Sequence, residues 1–185
     1  LKLVLASKSP RRAELLTAAG FEFSVRTTDA DESVLAGESP AEYVVRVARA
    51  KACAVPRSAD ETILAADTTV VLGSEIMGKP LDSRDATRML TALAGRRHEV
   101  ITGVCVAAGE NTITDLASTA VWFSPLTPDE VSGYVASGEP MDKAGAYGIQ
   151  GLASRFIDRI DGSYTNVVGL PVALVYRMLR RLSRS

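Results

Sequence analysis

The segment Ile63-Leu64-Ala65-Ala66-Asp67-Thr68-Thr69-Val70-Val71-Leu72 constrains this chain most, because it is β-rich and almost wholly apolar yet carries a carboxylate at its centre. A carboxylate inside an apolar strand is costly unless it is paired, hydrogen-bonded or bound to a metal. One reading places Asp67 at a strand end or bulge, held by Thr68 or Thr69. The other gives it a function, holding Mg²⁺ or orienting a water.

The elements around it follow from caps and periodicity. Leu3-Val4-Leu5-Ala6 reads as a buried strand, and Ser9-Pro10 as the N-cap and first residue of a helix stopped by Gly20. Ser39-Pro40-Ala41-Glu42 and Thr127-Pro128-Asp129-Glu130 are capping boxes that open helices to Val55 and Ser137. Ala86, Met89, Leu90 and Leu93 mark another helix, closed by Gly95. Residues 99–107 and 112–123 read as strands around Gly109-Glu110-Asn111, and residues 156–160 as a short strand before Asp161-Gly162. Pro171 opens a last amphipathic helix. Helices mixed with consecutive strands predict an α/β fold with a mixed sheet rather than a βαβ repeat. The length suits a single domain over residues 1–185, with the middle hairpin region a candidate second lobe.

Charge narrows the partners. Twenty-one basic residues nearly balance 22 acidic ones, for a formal net charge of -1, so nucleic acid is not expected and any anion site must be a local cluster. Cys53 and Cys105 sit in apolar segments and read as two buried free thiols in a reducing, cytoplasmic compartment. His98 is the only histidine, which disfavours a zinc site or a histidine-based triad. No apolar run reaches the roughly 20 residues of a membrane span. A strand-like segment at the very start predicts no signal peptide, and Leu1, not a usual start residue, predicts that a short leader is missing.

Several residues carry candidate chemistry. Ser7-Lys8-Ser9-Pro10-Arg11-Arg12 joins a strand to a helix start. Arginines in a first turn oppose the helix dipole, so two of them beside Lys8 and two hydroxyls suit a polyanion such as a triphosphate. The alternative is a solvated charge run with Ser9 as a cap only. Lys51 shares a helical stripe with Val44, Val47 and Ala48, so it either snorkels or points into a pocket. Gly73-Ser74-Glu75-Ile76-Met77-Gly78-Lys79 begins like a P-loop, but Pro80 stands where Ser or Thr would bind Mg²⁺ and the context is a hairpin. Lys79 remains a candidate phosphate contact. Glu32, in Asp29-Ala30-Asp31-Glu32, belongs to a solvated loop or supplies a second metal carboxylate. In Met141-Asp142-Lys143-Ala144-Gly145-Ala146-Tyr147-Gly148-Ile149-Gln150-Gly151, the glycines imply close backbone approach. Tyr147 is placed to stack on a base and Gln150 to hydrogen-bond it, unless the loop is purely structural.

Together these residues resemble the Maf family of nucleotide pyrophosphatases over essentially the whole chain. The opening Leu5-Ala6-Ser7-Lys8-Ser9-Pro10-Arg11-Arg12 is similar to the family's Ser/Arg motif. Glu32, Lys51, Ala66-Asp67-Thr68, Gly78-Lys79-Pro80 and Thr102-Gly103-Val104 fall where similar family motifs do. Gly138-Glu139-Pro140 and the glycine-rich segment after it resemble the subgroup acting on dTTP and UTP. The resemblance implies an elongated fold like that of inosine triphosphatases: a long mixed β-sheet flanked by helices, with a central cleft. It implies hydrolysis of nucleoside triphosphates to the monophosphate and pyrophosphate, a divalent metal (Mg²⁺ or Mn²⁺), and a homodimer. By this carry-over Asp67 is the catalytic carboxylate, as proton acceptor or metal ligand, and Glu32 helps hold metal. Arg11, Lys51 and Lys79 bind phosphates, Ser7 and Ser9 line the site, and Arg11, Thr68 and Gln150 bear on base choice. The rival readings are the same chemistry on 7-methyl-GTP, and a non-enzymatic nucleotide- or nucleic-acid-binding regulator of septum formation.

Overall fold

The computed structural model describes residues 2–27 and 29–182; Leu1 lies outside them. In chain order the elements are β1 (Lys2–Ala6), α1 (Pro10–Ala18), β2 (Phe23–Arg26), α2 (Pro40–Cys53), β3 (Glu61–Leu72), β4 (Glu75–Met77), α3 (Ser83–Leu93), β5 (Arg97–Ala108), β6 (Asn111–Phe123), α4 (Pro128–Ala136), β7 (Ile157–Asp161), α5 (Tyr164–Val168) and α6 (Val172–Leu182). Three short 3-10 segments lie between α4 and β7. The strands form one seven-stranded sheet in the order β2-β1-β3-β5-β6-β7, with β4 on β3. β1 runs parallel to both β2 and β3, whereas β3–β4 and β6–β7 are antiparallel. This is the mixed sheet that the element order predicts. Among the described residues no helix is long and apolar enough to cross a membrane.

Contacts divide the chain into two compact units. The first gathers the described residues of 1–68, 102–117 and 169–185; the second is 69–101 with 118–168. In the first unit the apolar run of β3 is explained by burial on both faces. Leu64 and Ala66 pack with Leu5, Leu16, Val104 and Val175. Ile63 and Ala65 pack with Val4, Ala48, Ala52 and Cys105 of a separate cluster. Strand alternation therefore gives Asp67 the face of Ile63 and Ala65, the α2 face, and Thr68 the opposite one.

The capping boxes form as their sequences predict. Ser39 and Glu42 exchange hydrogen bonds at the start of α2, and Thr127 and Glu130 do so at α4. Two elements escape the sequence reading. β2 is four residues long and lies at the end of the strand order, and α5 is five residues long. Neither is long enough to show a period.

In the second unit one expectation is overturned. Tyr147 is 5% exposed, packed edge-on against Phe123 and His98 at 4.7 and 5.4 Å between ring centroids, and its hydroxyl shares a 2.8 Å hydrogen bond with His98 Nε2. Its ring belongs to the core and is not available to stack on a base. A buried Tyr needs one polar partner, and His98 supplies it. Burial in turn lowers the His98 pKa to about 4, so the ring is neutral at pH 7.

Candidate active site

In the first unit a buried ion pair lies where β3 meets α2. Asp67 is 5% exposed in the middle of β3, and Lys51 is 8% exposed on the inward stripe of α2 with Val44, Val47 and Ala48. The Lys51 ammonium donates to Asp67 Oδ1 at 2.7 Å and pairs with Glu32 Oε1 at 2.9 Å. Lys51 therefore does not snorkel, and Asp67 is neither at a strand end nor held by its neighbouring threonines. Glu32 keeps a side chain 52% exposed. Its loop is tied to α2 by Tyr43, whose hydroxyl donates to the Glu32 carbonyl at 3.0 Å. Burial, with the charges of Asp67 and Glu32 adding to it, pushes the Tyr43 phenol up to about 12.

Gly103 lets α2 come this close. A Cβ on Gly103 would sit 2.3 Å from the Val44 carbonyl oxygen, so any side chain there would lift α2, and Lys51 with it, off β5. This gives a physical reason for the glycine in Thr102-Gly103-Val104.

A second network lies around Thr68. The Arg12 guanidinium donates from Nε to the Gly169 carbonyl at 2.9 Å and from Nη1 to the Ala66 carbonyl at 2.7 Å and Ser7 Oγ at 3.3 Å. From Nη2 it donates to Thr68 Oγ1 at 3.1 Å. Thr68 donates to the Gly169 carbonyl at 3.3 Å and shares a 2.9 Å bond with Thr102. Arg12 thus grips both residues that flank Asp67. Burial lowers its pKa, and the negative charges of Asp67 and Glu32 oppose that shift. Gly169 presents its carbonyl from a φ of 129°, which a side chain rarely adopts. Sequence reading grouped Arg12 with Arg11 as a polyanion contact and missed this buried network. The available signal was the i, i+4 relation of Arg12 to the buried Leu16, but Arg11 has the same relation to Leu15.

The other expected residues are placed as follows. Ser7 is buried, and its Oγ accepts from the Ser9 N–H at 3.1 Å as well as from Arg12. Ser9 is the N-cap of α1, but its side chain makes no capping bond. Arg11 is half-buried in the first turn of α1. Lys8 pairs with Asp29 at the surface. Lys79 and Gln150 belong to the second unit, both exposed: Lys79 just after β4, Gln150 in the turn 148–151. A groove in the first unit, lined by residues that include Leu35, Arg46, Arg49 and Cys53, contains none of the expected site residues. Cys53 is exposed there, against expectation, because the last residue of α2 falls off its inward stripe. Cys105 is buried as expected, and burial pushes its thiol up to about 11.

This arrangement suits a polyphosphate. It offers a lysine already desolvated, a carboxylate beside it, and a first-turn arginine. Asp67 and Glu32 also supply hard oxygen donors on either side of one ammonium. Among the described residues no group of three or more His, Cys, Asp or Glu side chains is placed to hold a metal. A divalent cation here would complete its shell with water and substrate oxygens, a habit of Mg²⁺, and on those terms the residues fit one.

Comparison with known proteins bears on the fold and the family. A HAM1 protein from Coxiella burnetii has the same fold, with a TM-score of 0.54 at 16% identity, covering 98% of this chain and 99% of that one. The family model for Maf-like protein matches residues 2–182, and the chain belongs to the Maf family. A relative in Anaeromyxobacter dehalogenans (strain 2CP-C), named dTTP/UTP pyrophosphatase, is 53% identical over 184 residues, covering 97% of this chain and 93% of the relative. One of the same name in Geobacter sulfurreducens is 52% identical over 184 residues, covering 98% and 96%.

Proposed function

We propose that this protein hydrolyses dTTP and UTP at the α-phosphate, giving the nucleoside monophosphate and pyrophosphate. The observation that carries the reading is the buried ammonium of Lys51, held at 2.7 Å from Asp67 and 2.9 Å from Glu32, in a chain about half identical to relatives named dTTP/UTP pyrophosphatase. Attack by water at phosphorus needs negative charge neutralised and the water oriented. Lys51, Arg11 and Lys79 neutralise phosphate charge, with Ser7 and Ser9 lining the phosphate path. Asp67 takes the proton of the attacking water or holds a divalent cation, Mg²⁺ or Mn²⁺, together with Glu32. When bound, that cation supplies further neutralisation of the phosphate oxygens. Thr68 and Gln150 act with Arg11 in base choice. The enzyme works in the cytoplasm as a homodimer.

Pyrophosphate release, read through added inorganic pyrophosphatase, tests this with dTTP, UTP, CTP, GTP and 7-methyl-GTP. dTTP and UTP are expected to lead the specificity constants; a lead by any purine nucleotide overturns the substrate assignment. Exhaustive chelation is expected to abolish release and added Mg²⁺ or Mn²⁺ to restore it; full activity after chelation removes the metal from the reading.

A further inference from the structure

In the second unit, Gln150 sits in a turn whose two ends are tied to one carboxylate. The turn 148–151 is closed by the Gly151 N–H donating to the Gly148 carbonyl at 3.1 Å. Glu139 Oε2 accepts from the Leu152 N–H, just past the turn, at 2.9 Å. Its other oxygen, Oε1, accepts from the Tyr134 hydroxyl at 2.9 Å, and that hydroxyl accepts from the Gly148 N–H at 3.3 Å. One side chain thereby fixes the entry and the exit of the turn.

The glycines allow this contact. A Cβ on Gly151 would fall 2.3 Å from Glu139 Oε1 and 2.5 Å from Oε2, so the carboxylate lies flat against the backbone. A Cβ on Gly148 would fall 2.6 Å from Lys143 Cε. Lys143 crosses beneath that end and donates to the Glu139 carbonyl at 2.6 Å. Tyr134 is itself fully buried, with its ring edge-on to Phe156 at 5.6 Å. The Glu139 carboxylate raises the Tyr134 phenol further above its ordinary range, after burial, as expected for a hydroxyl that donates to an anion. Of Tyr134, Glu139, Lys143 and Gln150, Gln150 alone is exposed.

We infer that Glu139 is a positioning residue for base selection: through the Tyr134 hydroxyl and the Leu152 N–H it sets the turn that aims Gln150, without touching substrate itself. A flexible glutamine amide discriminates poorly between a base that offers N–H and one that offers an unprotonated ring nitrogen. Held in one orientation, it presents its acceptor and donor in a fixed order, and a mismatched base leaves groups unpaired. The inference rests on the assignment of Gln150 to base choice.

The test is the ratio of kcat/KM for UTP to that for CTP, with kcat and KM read separately. Gln150→Ala is expected to lower the ratio about tenfold, one mismatched polar contact. Glu139→Ala is expected to lower it by a similar factor, mainly through a raised KM for UTP. Glu139→Gln is expected to recover most of the loss, since an amide still accepts from the Leu152 N–H. The double variant Glu139→Ala/Gln150→Ala is expected to match Gln150→Ala alone, because a residue acting only through Gln150 has nothing left to position. Tyr134→Phe, which keeps the ring and removes the relay, is expected to give a partial loss, and it carries the test if Glu139→Ala does not fold. An unchanged ratio in Glu139→Ala, or in Tyr134→Phe where that carries the test, overturns the inference while leaving Gln150's role intact. So do losses that multiply in the double variant. An unchanged ratio in Gln150→Ala overturns the assignment of Gln150 and this inference with it.

Discussion

Among the polar contacts that each unit buries, two pairs are built to opposite ends. In the first, Lys51 and Asp67 meet at 2.7 Å as a formal ion pair, with Glu32 added at 2.9 Å. In the second, His98 and Tyr147 meet at 2.8 Å as neutral partners wedged against Phe123. Burying charges costs more than burying neutral dipoles, and a well-packed apolar pair often serves stability as well as an ion pair does. The first pair is therefore hard to explain by stability, and its open flank at Glu32 points to use. The second satisfies a core Tyr and needs no further role. Perturbing each pair in turn separates a role in chemistry from a role in stability.

The largest effect is expected from Asp67→Asn, which keeps the shape and removes charge and basicity. Turnover should fall by about two to four orders of magnitude. The melting temperature should fall only modestly, because an amide oxygen still accepts from Lys51. Near-normal turnover in a well-folded variant would remove Asp67 from the chemistry and dissolve the contrast between the pairs.

The next largest is a pH effect on the second pair. His98 has a folded pKa of about 4 against an ordinary value of 6.5, a depression caused by burial. Its neutral form is therefore favoured by folding. That stability is fully present above pH 6.5 and is lost as pH falls through 4. The shift corresponds to about 3 kcal/mol across that window. Chemical denaturation at stepped pH should show the wild type losing stability on this slope and His98→Asn losing less. Parallel slopes would mean that His98 does not report the folded core.

Smaller again is the effect of Arg11→Ala. Loss of one charge-assisted phosphate contact should cost about 1.5–3 kcal/mol in kcat/KM, mostly through KM. Unchanged triphosphate kinetics would make the first-turn charge incidental.

Much of the fold was legible because its signals are local. Capping residues and apolar periods located α2, α3, α4 and the long strands, and these are decided within a few residues of chain. β2 and α5 carry too few residues for a period. The site divides the same way. Asp67 betrayed itself as a carboxylate in an apolar strand, and Lys51 as a cation on an apolar stripe. Arg12 did not, because its importance lies in partners at Ala66, Thr68 and Gly169, far along the chain. Telling which of the two arginines is buried needs the rotation of α1 relative to β3, which no short pattern encodes. Tyr147 misled for a related reason. An aromatic residue among glycines looks exposed, and only the position of His98 on β5 shows that the ring turns inward.

The smallest expected effect, Tyr147→Phe, tests that last point. The substitution removes one oxygen and keeps the ring against Phe123, so the packing and the apolar area buried are preserved. What is lost is a neutral hydrogen bond to His98, whose Nε2 would then have no partner among the described residues. A bond of this kind contributes about 1 kcal/mol net. For a chain of this length that is about 2–4 °C in melting temperature. Turnover of UTP should not change, since the hydroxyl is directed at His98 and the ring is covered by core. A melting shift of this size with unchanged kinetics places the pair with stability, opposite to Lys51 and Asp67. A variant that melts normally but loses base discrimination would return Tyr147 to the binding surface, and the division between the two buried pairs would fail.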